Sequence, residues 1–130
     1  MPLWEKWRFA FDDRMPIYRQ IILLFRQAFV RKDIQLGERI PSIREMAAVL
    51  RVNTNTIQRV YQEMERDELI IIKRGTGYFF TEDLSMMKKI RHQLAQESLQ
   101  RFVEEMRALG CADREIKEEL ISFMEGGSNE

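Results

Sequence analysis

In residues 53–66, NTNTIQRVYQEMER, amide and guanidinium side chains recur at spacings that share one side of a helix. With Ile57, Val60, Tyr61 and Met64 turned inward, Asn55, Arg59, Gln62 and Arg66 point outward and Gln58 sits on the flank. The amides of Asn and Gln pair two-fold with adenine in the major groove, the fork of Arg pairs with guanine, and a Thr methyl meets the thymine methyl. The first turns of a recognition helix reach the groove floor, and here those turns hold Thr54, Asn55 and Thr56. A capped, solvated surface helix would carry similar residues, so charge and context have to decide. Within residues 42–62 the basic Arg44, Arg51 and Arg59 face one acid, Glu45, whereas Glu63, Glu65, Asp67 and Glu68 follow at once. That sorting suits an anionic ligand on one side.

Other chemistries lack their parts. His92 and Cys111 are each the only residue of their type, so no metal-ligand spacing and no disulfide framework arises. Of eight methionines, Met46, Met64, Met87 and Met106 fall on apolar helical stripes, where packing explains them. No Ser/His/Asp or Cys/His arrangement, phosphate-cradling glycine loop or carboxylate pair is present, and no enzyme, metal or cofactor is expected. The longest apolar run, IILLF, is far short of the roughly 18 residues of a membrane span, and the N-terminus does not read as a signal peptide. The setting expected is therefore cytoplasmic, with no membrane partner. The 130 residues, 45% hydrophobic and 32% charged, fit one domain or a domain with an appendage. Net charge is zero overall, but +3 over residues 1–82 and −3 over 83–130.

Several elements must position the outward face. Trp7, Phe9 and Phe11 alternate as a short half-buried strand would. Pro16 suits the first position of a helix whose stripe is Ile17, Ile21, Leu24, Phe25, Ala28 and Phe29. After a break at Gly37 and Pro41, Ser42 and Glu45 have capping-box spacing, and Ile43, Met46, Ala47 and Leu50 form a second buried face. Asn53 then caps the third helix. LIIIKR, GTG and YFFT read as strand, glycine turn and strand, with Gly75 and Gly77 taking positive φ. Tyr78, Phe79 and Phe80 are expected mostly buried, which disfavours single-stranded nucleic acid stacked on exposed rings. Two short helices, a tight turn and a following hairpin make a winged helix-turn-helix. Arg74 and Gly75, at the hairpin tip, can enter a minor groove or grip phosphate.

The motifs PIYRQI, GERIPSIREMAAVLRVNTNTIQRVYQEMERDELI and RGTGYFF resemble the DNA-binding domain of the GntR family of bacterial transcription regulators, most closely its YtrA-like branch. The resemblance covers roughly residues 15–82. It implies DNA contacts from Arg44, from Thr54, Asn55, Thr56 and Gln58, and from Arg74 and Gly75. Many family members carry Arg where this chain has Thr54 and Gln58; Arg59 then reads guanine in their stead or contacts phosphate.

Beyond the wing, Leu84, Met87, Ile90, Leu94, Ala95, Leu99, Phe102, Val103, Met106 and Leu109 trace a stripe ending at Gly110. A second tail helix is expected, with Asp113 and Glu115 in its first turn and Ile116, Leu120, Phe123 and Met124 inward. So long an apolar stripe marks a dimerisation surface through Leu84, Met87, Ile90, Leu94, Leu99, Phe102, Val103, Met106 and Leu109. The alternative is that the second tail helix folds back and, with the strand at Trp7 to Phe11, covers it. The organisation expected is mainly α with a small β hairpin: an N-terminal arm with a possible short strand (1–14), a winged helix-turn-helix (15–82), a two-helix dimerisation tail (83–126) and a frayed end (127–130). The function expected is sequence-specific binding of double-stranded DNA by a homodimeric regulator, a repressor on a palindromic operator, with the effector unspecified. A winged helix used only for protein docking would leave the outer face of the third helix apolar or acidic.

Overall fold

The computed structural model describes residues 3–126, so the frayed end expected at 127–130 lies outside the described residues. Two compact units are present, Met1–Arg91 and His92–Glu130.

The first unit begins with a 3-10 helix, Leu3–Phe9, where a strand over residues 7–11 was expected. Three residues per turn place Trp4 and Trp7 on one side, and both are buried. Trp7 meets Phe25 edge-on at 4.8 Å. Phe9 is left 77% exposed, so the alternation of Trp7, Phe9 and Phe11 does not describe one buried face.

Helix α1 (Ile17–Val30) buries Ile21, Ile22, Phe25, Ala28 and Phe29. Ile17, in its first turn, is 41% exposed, and Leu24 is half-buried. The core is aromatic at its centre: Phe25 and Phe29 lie 5.8 and 5.3 Å from Phe80, and Phe25 lies 6.4 Å from Tyr61. Helices α2 (Ile43–Leu50) and α3 (Thr54–Arg66) close over it with Met46, Ala47, Leu50, Ile57, Val60, Tyr61 and Met64. Ile43 is only half-buried.

The hairpin is β2 (Ile70–Lys73) with β3 (Gly77–Phe80), and a strand the sequence did not announce, β1 (Arg39–Ile40), adds to it in the order β1-β3-β2. All pairings are antiparallel, with Ile40 opposite Tyr78 and Ile72 opposite Tyr78 from the other edge. Two residues are too few for alternation to be visible. Tyr78 and Phe79 are half-buried and Phe80 is buried.

Helix α4 (Leu84–Ala108) starts in the first unit, capped by Asp83, whose Oδ1 accepts from Ser85 N–H and from Ser85 Oγ–H. Met87 and Ile90, expected on the dimerisation stripe, are already buried in the single chain at 3% and 5% exposure, because the first turns of α4 belong to this unit.

In the second unit, α4 ends in a Schellman turn: Gly110, at φ +90°, donates to the Arg107 carbonyl and Cys111 to that of Met106. Helix α5 (Asp113–Met124) begins with Glu115 Oε1 accepting from Ala112 N–H, and Asp113 is forked onto Arg107 at 2.9 and 2.9 Å. Ile116 is buried and Leu94, Phe102, Val103, Met106 and Leu120 are half-buried, whereas Leu99 and Leu109 are exposed. Phe123 and Met124, expected inward, are 82% and 75% exposed; at the last turn of α5 the periodicity continues, but among the described residues of this unit nothing covers it.

Candidate nucleic-acid interface

Placement of the α3 tip starts one residue before α2, at its N-cap Ser42. Ser42 Oγ accepts from Glu45 N–H at 3.1 Å and Glu45 Oε1 accepts from Ser42 N–H at 2.9 Å, the reciprocal box the spacing predicts. The Ser42 backbone donor, then its hydroxyl, hold the Glu45 carboxyl below the usual range, and the charge of Arg39 adds to this. Arg44 is exposed on the first turn of the same helix.

Arg51 ends α2 in the left-handed region at φ 59°, a conformation costly for a residue with a Cβ. The bend it makes leaves only Val52 and Asn53 before α3. Asn53 Oδ1 accepts from Asn55 N–H at 2.7 Å, so the cap is bonded from a side chain within the turn. Thr54 and Asn55 are consequently displayed at the helix tip, with Thr56 half-buried behind them.

Behind the tip, Tyr61 fastens α3 to the segment that leads into α2. Its hydroxyl donates to the Pro41 carbonyl at 2.7 Å, and its ring meets Tyr78 of β3 at 4.8 Å. Burial, reinforced by Tyr78 and Glu45, pushes its phenol well above the ordinary value, so it is a fixed donor at every physiological pH.

Asn55, Gln58, Arg59, Gln62, Glu63 and Arg66 line one open concavity along the outer side of α3. The projected outward set is thus brought together, with Arg59 turned sideways. Its Nη2 donates to the Tyr18 hydroxyl at 2.9 Å, its guanidinium stands 3.7 Å over the Tyr18 ring, and its Nε pairs with Glu63 at 3.5 Å. Tyr18 lies 41 residues earlier, so no local spacing could have signalled this partner.

The wing turn closes with Thr76 N–H donating to the Lys73 carbonyl at 2.9 Å, and Gly75 sits in it at φ +74°. Arg74 and Gly75 are exposed there. Gly77, at φ +129°, has the Arg39 guanidinium against it: a Cβ at Gly77 would lie 3.3 Å from Arg39 Nε. Arg39 of β1 is thereby a basic group beside the wing that sequence reasoning did not single out. Among the described residues, no group of three or more His, Cys, Asp or Glu stands close enough to hold a metal, and no helix is long and apolar enough to cross a membrane.

A capped helix, a tight bend, a second helix presenting amides at its tip and a glycine-tipped antiparallel hairpin define a winged helix-turn-helix. Residues 17–80 match the model of the bacterial regulatory proteins, gntR family. The chain is 40% identical over 117 residues to the uncharacterized HTH-type transcriptional regulator YhcF of Bacillus subtilis (strain 168), covering 90% of this chain and 97% of that one. It is 33% identical over 87 residues to the HTH-type transcriptional repressor YtrA of the same organism, covering 62% and 67%. A solved GntR family transcriptional regulator from Listeria monocytogenes superposes with a TM-score of 0.79 at 35% identity, over 89% of this chain and 98% of that one. The chain belongs to the GntR family of bacterial regulators, the family its motifs resemble. It is a DNA-binding transcriptional regulator and not an enzyme.

Proposed function

We propose that this regulator is a cytoplasmic homodimeric repressor that reads a palindromic operator in duplex DNA. The observation that carries the reading is the tip of α3, where Thr54 and Asn55 are exposed, the cap is bonded from within by Asn53, and Gln58 follows on the same exposed side. Thr54, Asn55, Thr56 and Gln58 take the base edges. Arg44 on α2 and Arg74 with Gly75 on the wing grip backbone or groove on either side, and Arg59 joins the interface from its place against Tyr18.

Dimerisation belongs to the second unit. Leu99 and Leu109 on α4 are 48% and 77% exposed, Leu94, Phe102, Val103 and Met106 are half-buried, and Ile121, Phe123 and Met124 add exposed apolar surface on α5. Leu84, expected on the same stripe, is 49% exposed but belongs to the first unit, and Met87 and Ile90 are core residues of that unit, so these three drop out of the surface. On this reading the DNA-binding module is the winged part of residues 15–82 together with the first turns of α4. Two-fold pairing demands a palindrome whose half-sites lie about 34 to 36 Å apart or a multiple of that. The sign of regulation follows the relative whose name calls it a repressor.

Selection of bound duplexes from random DNA tests this. A two-fold symmetric sequence should emerge, and alanine at Asn55 or Gln58 should each cost about 1 to 3 kcal/mol and relax the preference at one base pair per half-site. Alanine variants that bind the selected duplex as wild type does, with unchanged preferences, refute the assignment.

A further inference from the structure

Tyr18 stands in the first turn of α1 at the point where that helix meets the outer side of α3. Its hydroxyl oxygen accepts from two guanidinium groups, Arg59 Nη2 at 2.9 Å and Arg19 Nε at 3.2 Å. The Arg59 guanidinium also covers its ring at 3.7 Å. A phenol oxygen offers two lone pairs and one proton. With arginines on both lone pairs, the O–H is left to donate, and among the described residues it has no acceptor. Two like charges therefore converge on one half-buried phenol whose proton is free. Among the described residues, the only carboxylate bonded to the cluster is Glu63, on the Nε edge of Arg59. Most of the five N–H donors of each arginine remain unused.

We propose that Tyr18, Arg19 and Arg59 form a clamp for one phosphodiester of the DNA backbone, beside the base-reading tip of α3. An anionic oxygen placed there accepts from the Tyr18 hydroxyl and from free guanidinium N–H groups, and it relieves the repulsion between the two arginines. The direction of Arg59 selects phosphate over a base. A base reader extends from the recognition helix into the groove, whereas Arg59 is tied sideways to a flanking helix, toward the groove margin where the backbone runs. Glu63 holds the guanidinium plane by its Nε edge and leaves the far edge clear. The clamp rests on the reading of α3 as the DNA-facing helix.

The full-length protein is first used to select a preferred duplex from random DNA. That duplex and a scrambled one of equal length are then titrated, from about 50 to about 200 mM salt, with wild type, Tyr18→Phe, Arg19→Gln and Arg59→Gln. Phe keeps the ring, and both arginines are exposed, so the fold is retained; thermal melts check this. Each arginine variant should flatten the slope of log affinity against log salt by about 0.9. Tyr18→Phe should weaken binding to both duplexes alike, by about 10-fold, with every base preference unchanged. A methylphosphonate at one position in each half-site should weaken wild type and erase its advantage over Tyr18→Phe. Tyr18→Phe binding as tightly as wild type, an unchanged slope for Arg59→Gln, or a base preference lost with Arg59→Gln overturns the clamp. If wild type selects no sequence while these variants still lose affinity and slope, the base-reading tip fails and the clamp stands; if wild type binds no duplex, both fail.

Discussion

Replacing Tyr61 by Phe removes one oxygen from the back of the recognition helix. The side chain is 1% exposed, and its ring packing against Phe25 and Tyr78 would be untouched. What is lost is the 2.7 Å hydrogen bond to the Pro41 carbonyl. An intramolecular hydrogen bond is worth a net ~1 kcal/mol, and an acceptor left dry adds up to a few more. Pro41 is half-buried, so its carbonyl partly rehydrates, and the total expected is about 1 to 2 kcal/mol. Tyr61→Ala, which also empties the ring's site, should cost about 3 to 5 kcal/mol. Urea unfolding followed by tryptophan fluorescence reads the right unit, since Trp4 and Trp7 are the chain's two tryptophans and both are buried in it. With m near 2 kcal/mol/M, the Phe variant's midpoint should fall by about 0.5 to 1 M at unchanged m. Several protein concentrations are needed, because dimerisation would make the midpoint concentration-dependent. A Phe variant as stable as wild type, or as damaged as Tyr61→Ala, refutes the reasoning.

Gly77→Ala should destabilise the wing by about 1 to 3 kcal/mol, because φ +129° is strained for any residue with a Cβ and Arg39 must also move; Gly75→Ala, with open space around its methyl, should cost less in the same urea experiment. Asp113 should titrate below the usual aspartate range in an NMR carboxyl titration, its hydrogen bonds from Arg107 being the main cause and the Arg107 charge the next, and Arg107→Gln should restore an ordinary midpoint. Since the folded pKa is the lower one, the stability that the pair contributes is complete above the unfolded aspartate value and is lost as pH falls through the depressed folded value; a midpoint unaffected by Arg107→Gln would show the fork to be open in solution. A fragment ending at Arg91 should fold, sediment as a monomer and bind the selected palindrome more weakly than full-length protein, whereas one ending at Glu82 loses Met87 and Ile90 from its core and should be less stable by roughly 2 kcal/mol or more. Full-length protein that sediments as a monomer at micromolar concentration would contradict the dimer.

The elements legible in the sequence are those whose causes lie within a few residues of one another. The Ser42 and Glu45 box, the Asn53 cap, the inward set Ile57, Val60, Tyr61 and Met64, the glycine turn of the wing and the Gly110 stop all stand where spacing put them, because caps, stripes and tight turns are settled by neighbours. The outer side of α3 was legible for the same reason: once the inward side is known, 3.6 residues per turn assigns the rest. Contacts across the chain decided what remained. Trp7, in a 3-10 helix, stands edge-on to Phe25 on α1 and to Trp4 beside it, and two-residue β1 exists only because β3 lies alongside. Along the tail, Met87, Ile90, Phe123 and Met124 are all apolar and all fall on helical stripes, yet the first two are buried and the last two exposed, since periodicity names a face but not what stands opposite it. Arg59 shows the same division at the site itself. Helical geometry turned it outward, while its partner, Tyr18 on another helix, is supplied by the packing of α1 against α3, which no pattern local to either segment contains.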